Sequence, residues 1–173
     1  MPVAIRSAAL TDVPAILAIE QQAPAAAHWT PEQYNKLVTG GVVLVAEEAG
    51  EHADERSDEH PDENAPAPCK DRKERGTPCG FICAQAVAGE WEIENVAVAA
   101  GFLWRGIANE LLLELIRRAE SEAASAILLE VRESNLPARR LYEKHGFREV
   151  GRRRGYYRDP VDDAVLYALR FDG

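Results

Sequence analysis

Five consecutive residues, Ile127-Leu128-Leu129-Glu130-Val131, are apolar at every position but one, and they follow a segment of helical periodicity. A run without polar alternation reads as a strand deep in a sheet. Ahead of it, Leu111, Leu112, Leu115, Ile116 and Ala119 recur at helical spacing and predict an amphipathic helix from about Gly106 to Ala124. Phe81 to Val87 and Glu90 to Val98 read as two strands joined by an Ala88-Gly89 turn, and Val42 to Ala46 and Val3 to Arg6 as two more. Thr11 or Asp12 can cap a helix with Pro14 in its first turn and Ile16, Leu17 and Ile19 buried behind it. Thr30-Pro31-Glu32-Gln33 carries a capping box with proline at the first helical position, for a helix that stops before Gly40-Gly41. Pro137 opens a further helix bearing Leu141 and Tyr142 and stopped by Gly146, and Phe147–Val150 and Ala164–Phe171 complete the strands. The expected order is strand, helix, helix, three strands, helix, strand, helix, two strands.

Between two strands, residues 50–78 hold nothing apolar larger than alanine, cysteine or proline. Such a stretch cannot bury enough surface to offset its ordering entropy, which predicts a disordered acidic insertion over 49–78 in an otherwise single domain, 1–173. Closure entropy tolerates it because the cost grows only logarithmically with length. The charge lies there too: nine acids between Glu47 and Asn64, against Arg56 alone, account for −8 of the net −9. The rest of the chain is near neutral, and only Arg152-Arg153-Arg154 offers a basic cluster, so no direct nucleic-acid partner is expected. No stretch approaches the roughly 20 apolar residues of a membrane span. The N-terminus lacks the pattern of a secretory signal, so a cytoplasmic protein is expected. Cys69, Cys79 and Cys83 are an odd count without framework spacing and read as reduced thiols; with His52 and His60 they match no zinc pattern, so no metal is expected.

The chemistry concentrates where Val96-Ala97-Val98 leads through Arg105-Gly106-Ile107-Ala108 into the long helix. A strand running through a glycine-containing loop to a helix N-terminus converges unpaired amides on one point, and the helix dipole favours an anion there. Gly106 lets the backbone approach a phosphate, and Ala108 keeps the next turn clear. An ordinary strand-to-helix turn reads the same way. No Gly-Lys-Ser/Thr follows, which excludes a P-loop, and the three spaced glycines of a dinucleotide fingerprint are missing.

Downstream come Leu129-Glu130-Val131-Arg132-Glu133-Ser134-Asn135 and Leu141-Tyr142-Glu143-Lys144-His145-Gly146-Phe147. With these motifs the chain from Asn95 to Phe171 resembles the GNAT acetyltransferases, and within them the RimI-type N-alpha-acetyltransferases that modify a ribosomal protein's N-terminus. Trp29-Thr30-Pro31-Glu32 and Gly155-Tyr156-Tyr157 are similar to that branch as well. The resemblance implies an α/β (α+β) fold: a mixed, mostly antiparallel twisted sheet of six to seven strands flanked by about four helices. It implies acetyl-CoA as donor, gripped at Leu103, Trp104, Arg105, Gly106, Ile107, Ala108 and Asn109 around its pyrophosphate and along Val96, Ala97 and Val98 by its pantetheine arm. The sequence departs from the family at Leu103, where glutamine or arginine is usual.

By the same resemblance Glu130 is the general base, directly or through a water, and Tyr142 the general acid that also touches the donor. An α-ammonium with a pKa near 8 must lose a proton before it attacks. Glu130 lies in a buried-type strand, where a carboxylate without a partner has its pKa raised. Against this stand a strand-end glutamate paired with Arg132, and Glu92 or Glu94 on the earlier strand in the same role. Tyr142 reads equally as a core tyrosine. Asn135 supports the donor arm or caps the helix, and His145 is an exposed dipole partner. Cys79 and Cys83 have no histidine–carboxylate pattern near them for nucleophilic catalysis. A protein N-terminus, in a slot lined by Val165-Leu166-Tyr167 and a Gly155-Tyr156-Tyr157 turn, is the expected acceptor. Competing readings are transfer to a small-molecule amine or a lysine, and a non-catalytic acyl-CoA sensor.

Overall fold

The computed structural model describes residues 3–23, 28–48 and 76–171. Among the described residues seven strands form one sheet: β1 (Val3–Ser7), β2 (Val42–Glu48), β3 (Pro78–Val87), β4 (Glu90–Val98), β5 (Ala126–Arg132), β6 (Arg148–Arg158) and β7 (Val161–Arg170). Four α-helices accompany them: α1 (Val13–Gln21), α2 (Pro31–Gly40), α3 (Ile107–Ser121) and α4 (Leu136–Lys144). Strand order is β1-β2-β3-β4-β5-β7-β6, and only β4 and β5 run parallel. The mixed, mostly antiparallel sheet and the order of elements are those expected.

Alternation sorts the central strands onto two cores. Val43, Val45, Phe81 and Cys83 pack with Val13, Ile16 and Ile19 of α1 and Tyr34 and Leu37 of α2. Leu44, Ala46 and Ile82 face the other way, onto Leu111, Leu112 and Leu115 of α3 and Tyr142 of α4. Helices on both faces explain the unbroken apolar runs, and each such side chain contributes about 1.5–3 kcal/mol by its burial. The two cysteines Cys79 and Cys83 are buried and free, and burial pushes both thiols up.

The capping box forms as read: the Gln33 amide donates to Thr30 Oγ1 at 3.4 Å, and the Thr30 amide to Gln33 Oε1 at 2.8 Å. The expected cap of α1 does not. Asp12 precedes that helix, but its carboxylate accepts from the Ala9 amide at 2.7 Å and from Arg6 at 2.7 and 3.0 Å, which fixes the corner after β1. Leu17 is only half-buried. Strand β3 begins at Pro78, opposite Glu47, three residues before the expected start at Phe81. The disorder expected for 49–78 lies, up to residue 75, outside the described residues, as does Cys69.

The largest departure is β6. It runs to Arg158 rather than Val150, so Gly155-Tyr156-Tyr157 is strand, not turn; the reversal falls at Asp159-Pro160. An edge strand exposed on both faces has no apolar alternation to betray it, and its middle is Arg152-Arg153-Arg154. On the other side of β7 lies β5, so β7 is interior. Val165 and Tyr167 are therefore core side chains and Leu166 is half-buried, and none of the three lines the cleft beside β4.

Candidate active site

In the sheet, β4 pairs with β5 only over Glu90–Ile93 and Ala126–Leu129. Beyond that point the two parallel strands part, while β4 stays hydrogen-bonded to β3 and β5 to β7. The parting coincides with a bulge: Cys83 faces Asn95 and Ala84 faces Ile93, leaving Glu94 as the extra residue of β4. A bulge bends its strand and re-aims the side chains beside it. The result is a cleft of about 610 Å³, walled by residues 93–98 on one side and 129–132 on the other. Past Ile93, the edge of β4 that turns away from β3 borders this cleft at Val96, Ala97 and Val98.

At its far end sits the start of α3. Gly106 is the residue before the helix, at φ +82°, a conformation that favours glycine, and nothing lies within 4 Å of where a Cβ would stand. It offers no side chain as a cap. The first helical bond runs from the Glu110 amide to the Gly106 carbonyl at 3.1 Å, leaving the amides of Ile107, Ala108 and Asn109 ahead of it at the helix mouth. The turn sits low on the sheet because Gly80 in β3 is bare: a Cβ there would come within 3.0 Å of Ile107 Cγ2 and 3.2 Å of the Ala97 carbonyl oxygen. Sequence reading gave Gly80 no role, since only the fold brings Ile107 over it.

The cleft collects most of the expected site. Val96, Ala97, Val98, Leu103, Trp104, Gly106, Ile107, Ala108, Asn109, Glu130, Asn135 and Tyr142 all line it. Arg105 does not: its guanidinium lies over the Phe102 ring at 4.9 Å and reaches Glu48 at 3.7 Å. Asn135 caps α4, its Oδ1 accepting from the Ala138 amide at 3.3 Å, and still borders the cleft. Asn109 Oδ1 takes Lys144 Nζ at 3.2 Å and His145 Nε2 at 2.8 Å, tying α3 to the end of α4. His145 is thus half-buried and engaged rather than exposed, and burial ahead of the Lys144 charge holds its pKa below the usual value.

The carboxylates differ from expectation. Glu130 is half-buried and has a partner, Arg153, at 3.0 Å; Arg132 instead bonds the Asp159 and Pro160 carbonyls and lies over the Tyr157 ring at 4.2 Å. Glu94 lines the cleft across from Glu130, and its pKa is raised, first by burial and then by the charges of Glu92 and Glu130. Glu92 is exposed and outside the cleft. Tyr142 is 7% exposed and packs against Phe147 and Tyr167, and burial raises its pKa, keeping the phenol protonated. No hydrogen bond to its hydroxyl is present among the described residues. Tyr157, expected beside the acceptor on a turn, joins the lining from strand β6 instead.

Glu20 steadies the cleft wall from behind. Its buried carboxylate accepts from Tyr34 Oη at 2.7 Å, Asn95 Nδ2 at 2.9 Å and the Trp29 amide at 3.2 Å, joining α1 and α2 to β4 beside the bulge.

Known proteins are similar to this chain in sequence or fold. The [ribosomal protein bS18]-alanine N-acetyltransferase of Escherichia coli K12 is 37% identical over 98 residues, covering 56% of this chain and 66% of that relative, just under two thirds of its length. N-alpha-acetyltransferase RimI of Mycobacterium tuberculosis is 40% identical over 83 residues, 48% of this chain and 49% of the relative. The crystal structure of the ribosomal-protein-S18-alanine N-acetyltransferase from Escherichia coli superposes with a TM-score of 0.76 at 28% identity, over 99% of this chain and 97% of that one. Arabidopsis thaliana NAA60 in complex with acetyl-CoA shares the fold, with a TM-score of 0.76 at 20% identity over 99% and 100% of the two chains. Residues 25–147 match the model of the Acetyltransferase (GNAT) family, and the chain belongs to that family.

Proposed function

We propose that this chain transfers an acetyl group from acetyl-CoA to the N-terminal α-amine of a protein, with a ribosomal protein as the acceptor its relatives suggest. One observation carries the proposal: a single cleft joins an uncapped helix N-terminus to a free strand edge, two carboxylates and a phenol. The donor fits these residues, since the bare Gly106 leaves room for phosphate oxygens at the amides of Ile107, Ala108 and Asn109. The backbone of Val96, Ala97 and Val98 suits an extended amide-bearing arm, which would pair with it as a strand does. Bound there, acetyl-CoA would supply a thioester-activated acetyl group.

The chain's own residues then have separable tasks. Glu130, by the family resemblance, takes the proton of the incoming ammonium, with Glu94 facing it as a second carboxylate. Arg153 holds Glu130 in place at 3.0 Å. Tyr142 donates to the sulfur as it leaves, its proton retained by burial. Closely set negative charges also favour a cationic amine over other nucleophiles in the acceptor end.

The test is release of free thiol by purified protein with acetyl-CoA and short peptides bearing free N-termini, set beside small amines and N-acetylated lysine peptides. Turnover restricted to free peptide N-termini supports the reading. Glu130→Gln and Tyr142→Phe variants that keep the full rate would sink the assigned roles.

A further inference from the structure

Trp104 is strained and solvent-exposed in a way the other tryptophans are not. Trp91 is 2% exposed in the core, and Trp29 packs against Tyr34 with ring centroids 5.5 Å apart and planes tilted by 40°. Trp104 is 90% exposed and sits at φ +64°, a left-handed conformation that side-chain-bearing residues avoid. Surrounding structure has to impose such a conformation, and it does so here. The Phe102 amide bonds the Ala99 carbonyl at 2.8 Å in a short 3-10 turn, Phe102 packs against the core, and Gly106 closes the loop two residues on. The indole thereby stands at the rim of the cleft, with Leu103, half exposed, beside it. The neighbouring cation is turned away, Arg105 being held by Phe102 and Glu48.

Two residues of chain span at most about 7 Å, so the indole lies within a nucleotide's reach of the amide turn at Gly106. A donor whose pyrophosphate rests on that turn continues outward into a ribose and a purine. A flat, exposed π surface next to a phosphate site suits a base, which stacks on aromatic rings regardless of its hydrogen-bonding edge. We infer that Trp104 is the platform on which the adenine of the acyl-CoA donor stacks, so that this side chain sets the protein's preference for nucleotide-bearing donors. The inference rests on the proposed acetyl-CoA chemistry and adds to it a side chain where the amide turn needs only backbone.

Two readouts test it. With acetyl-CoA and S-acetyl-4′-phosphopantetheine, which lacks the adenosine, the ratio of kcat/KM values measures the preference; Trp104→Ala should cut that ratio about tenfold, and Trp104→Phe should restore most of it. Independently of turnover, adenosine 3′,5′-bisphosphate should quench the red-shifted emission of the wild-type protein, and that quenching should vanish in Trp104→Ala. An unchanged ratio, equal weakening toward both donors, or bisphosphate binding that leaves the emission untouched would overturn the platform while leaving acetyl transfer standing. A wild-type protein that binds neither donor would overturn both.

Discussion

Replacing Gly80 by alanine probes how the sheet sets the height of the amide turn. The added methyl would meet Ile107 Cγ2 at 3.0 Å, the Ala97 carbonyl oxygen at 3.2 Å and Val98 Cγ2 at 3.3 Å. All three belong to the candidate site: Ile107 opens α3, and Ala97 and Val98 are the free edge of β4. Gly80 does not hold a left-handed backbone, so alanine carries no strain penalty there. It gains about 0.4–1 kcal/mol by restricting the unfolded chain. Overpacking costs about 1–3 kcal/mol, and the carbonyl cannot rotate aside within a paired strand. The net expectation is a loss of up to about 2.6 kcal/mol, which for a chain of this size lowers Tm by up to about 10 °C. Relief comes by lifting Ile107, which displaces the amides after it. Since a misplacement near 1 Å can cost about a hundredfold, a shift of a few tenths of an ångström should raise the KM for acetyl-CoA several-fold. Thermal melting and donor-saturation kinetics of Gly80→Ala check both parts. A higher Tm with KM unchanged would refute the claim that this contact seats the helix start.

Other expectations follow from single contacts. Glu20→Ala removes a shared acceptor from the Tyr34 hydroxyl, Asn95 Nδ2 and the Trp29 amide, while Asn95 Nδ2 keeps its bond to Tyr34 Oη at 3.0 Å; it should cost about 3–5 kcal/mol in denaturant unfolding, whereas Glu20→Gln, keeping one acceptor oxygen, should cost less than half of that. Tyr142→Phe keeps the packing against Phe147 and Tyr167, so stability should change by less than about 1 kcal/mol while kcat falls about a hundredfold. Glu94 loses its proton at higher pH than an ordinary carboxyl, partly because Glu130 is charged. If the Glu94 anion supports proton removal, kcat/KM rises with pH through that raised pKa, and the residual activity of Glu130→Gln should show the rise displaced to lower pH. An unmoved acid limb would place the titration elsewhere. Deleting residues 50–75 and joining the flanks with a short turn should leave Tm and turnover near those of the full chain, since loop length enters closure entropy only logarithmically.

What the sequence disclosed and what it hid divide along physical lines. Ile127–Val131 and the leucines of α3 declared themselves because burial leaves periodic patterns, and the Thr30–Gln33 box because capping is local. Gly106 was legible as a helix-start glycine, and the family motifs carried Glu130 and Tyr142. The Glu94 bulge is a property of how β4 registers on β3, and no single strand encodes it. The Arg153–Glu130 pair joins strands that only the sheet makes neighbours. The length of β6 stayed hidden because an exposed, arginine-rich edge strand has the composition of a loop.

The account depends on the amides at the start of α3 receiving the donor's phosphates. Backbone amide NMR during titration with coenzyme A reads this directly, residue by residue. The resonances of Gly106, Ile107, Ala108 and Asn109 should shift first and furthest, with those of Ala97 and Val98 following along the strand edge. Saturable binding that leaves residues 106–109 unmoved and perturbs another surface would contradict it.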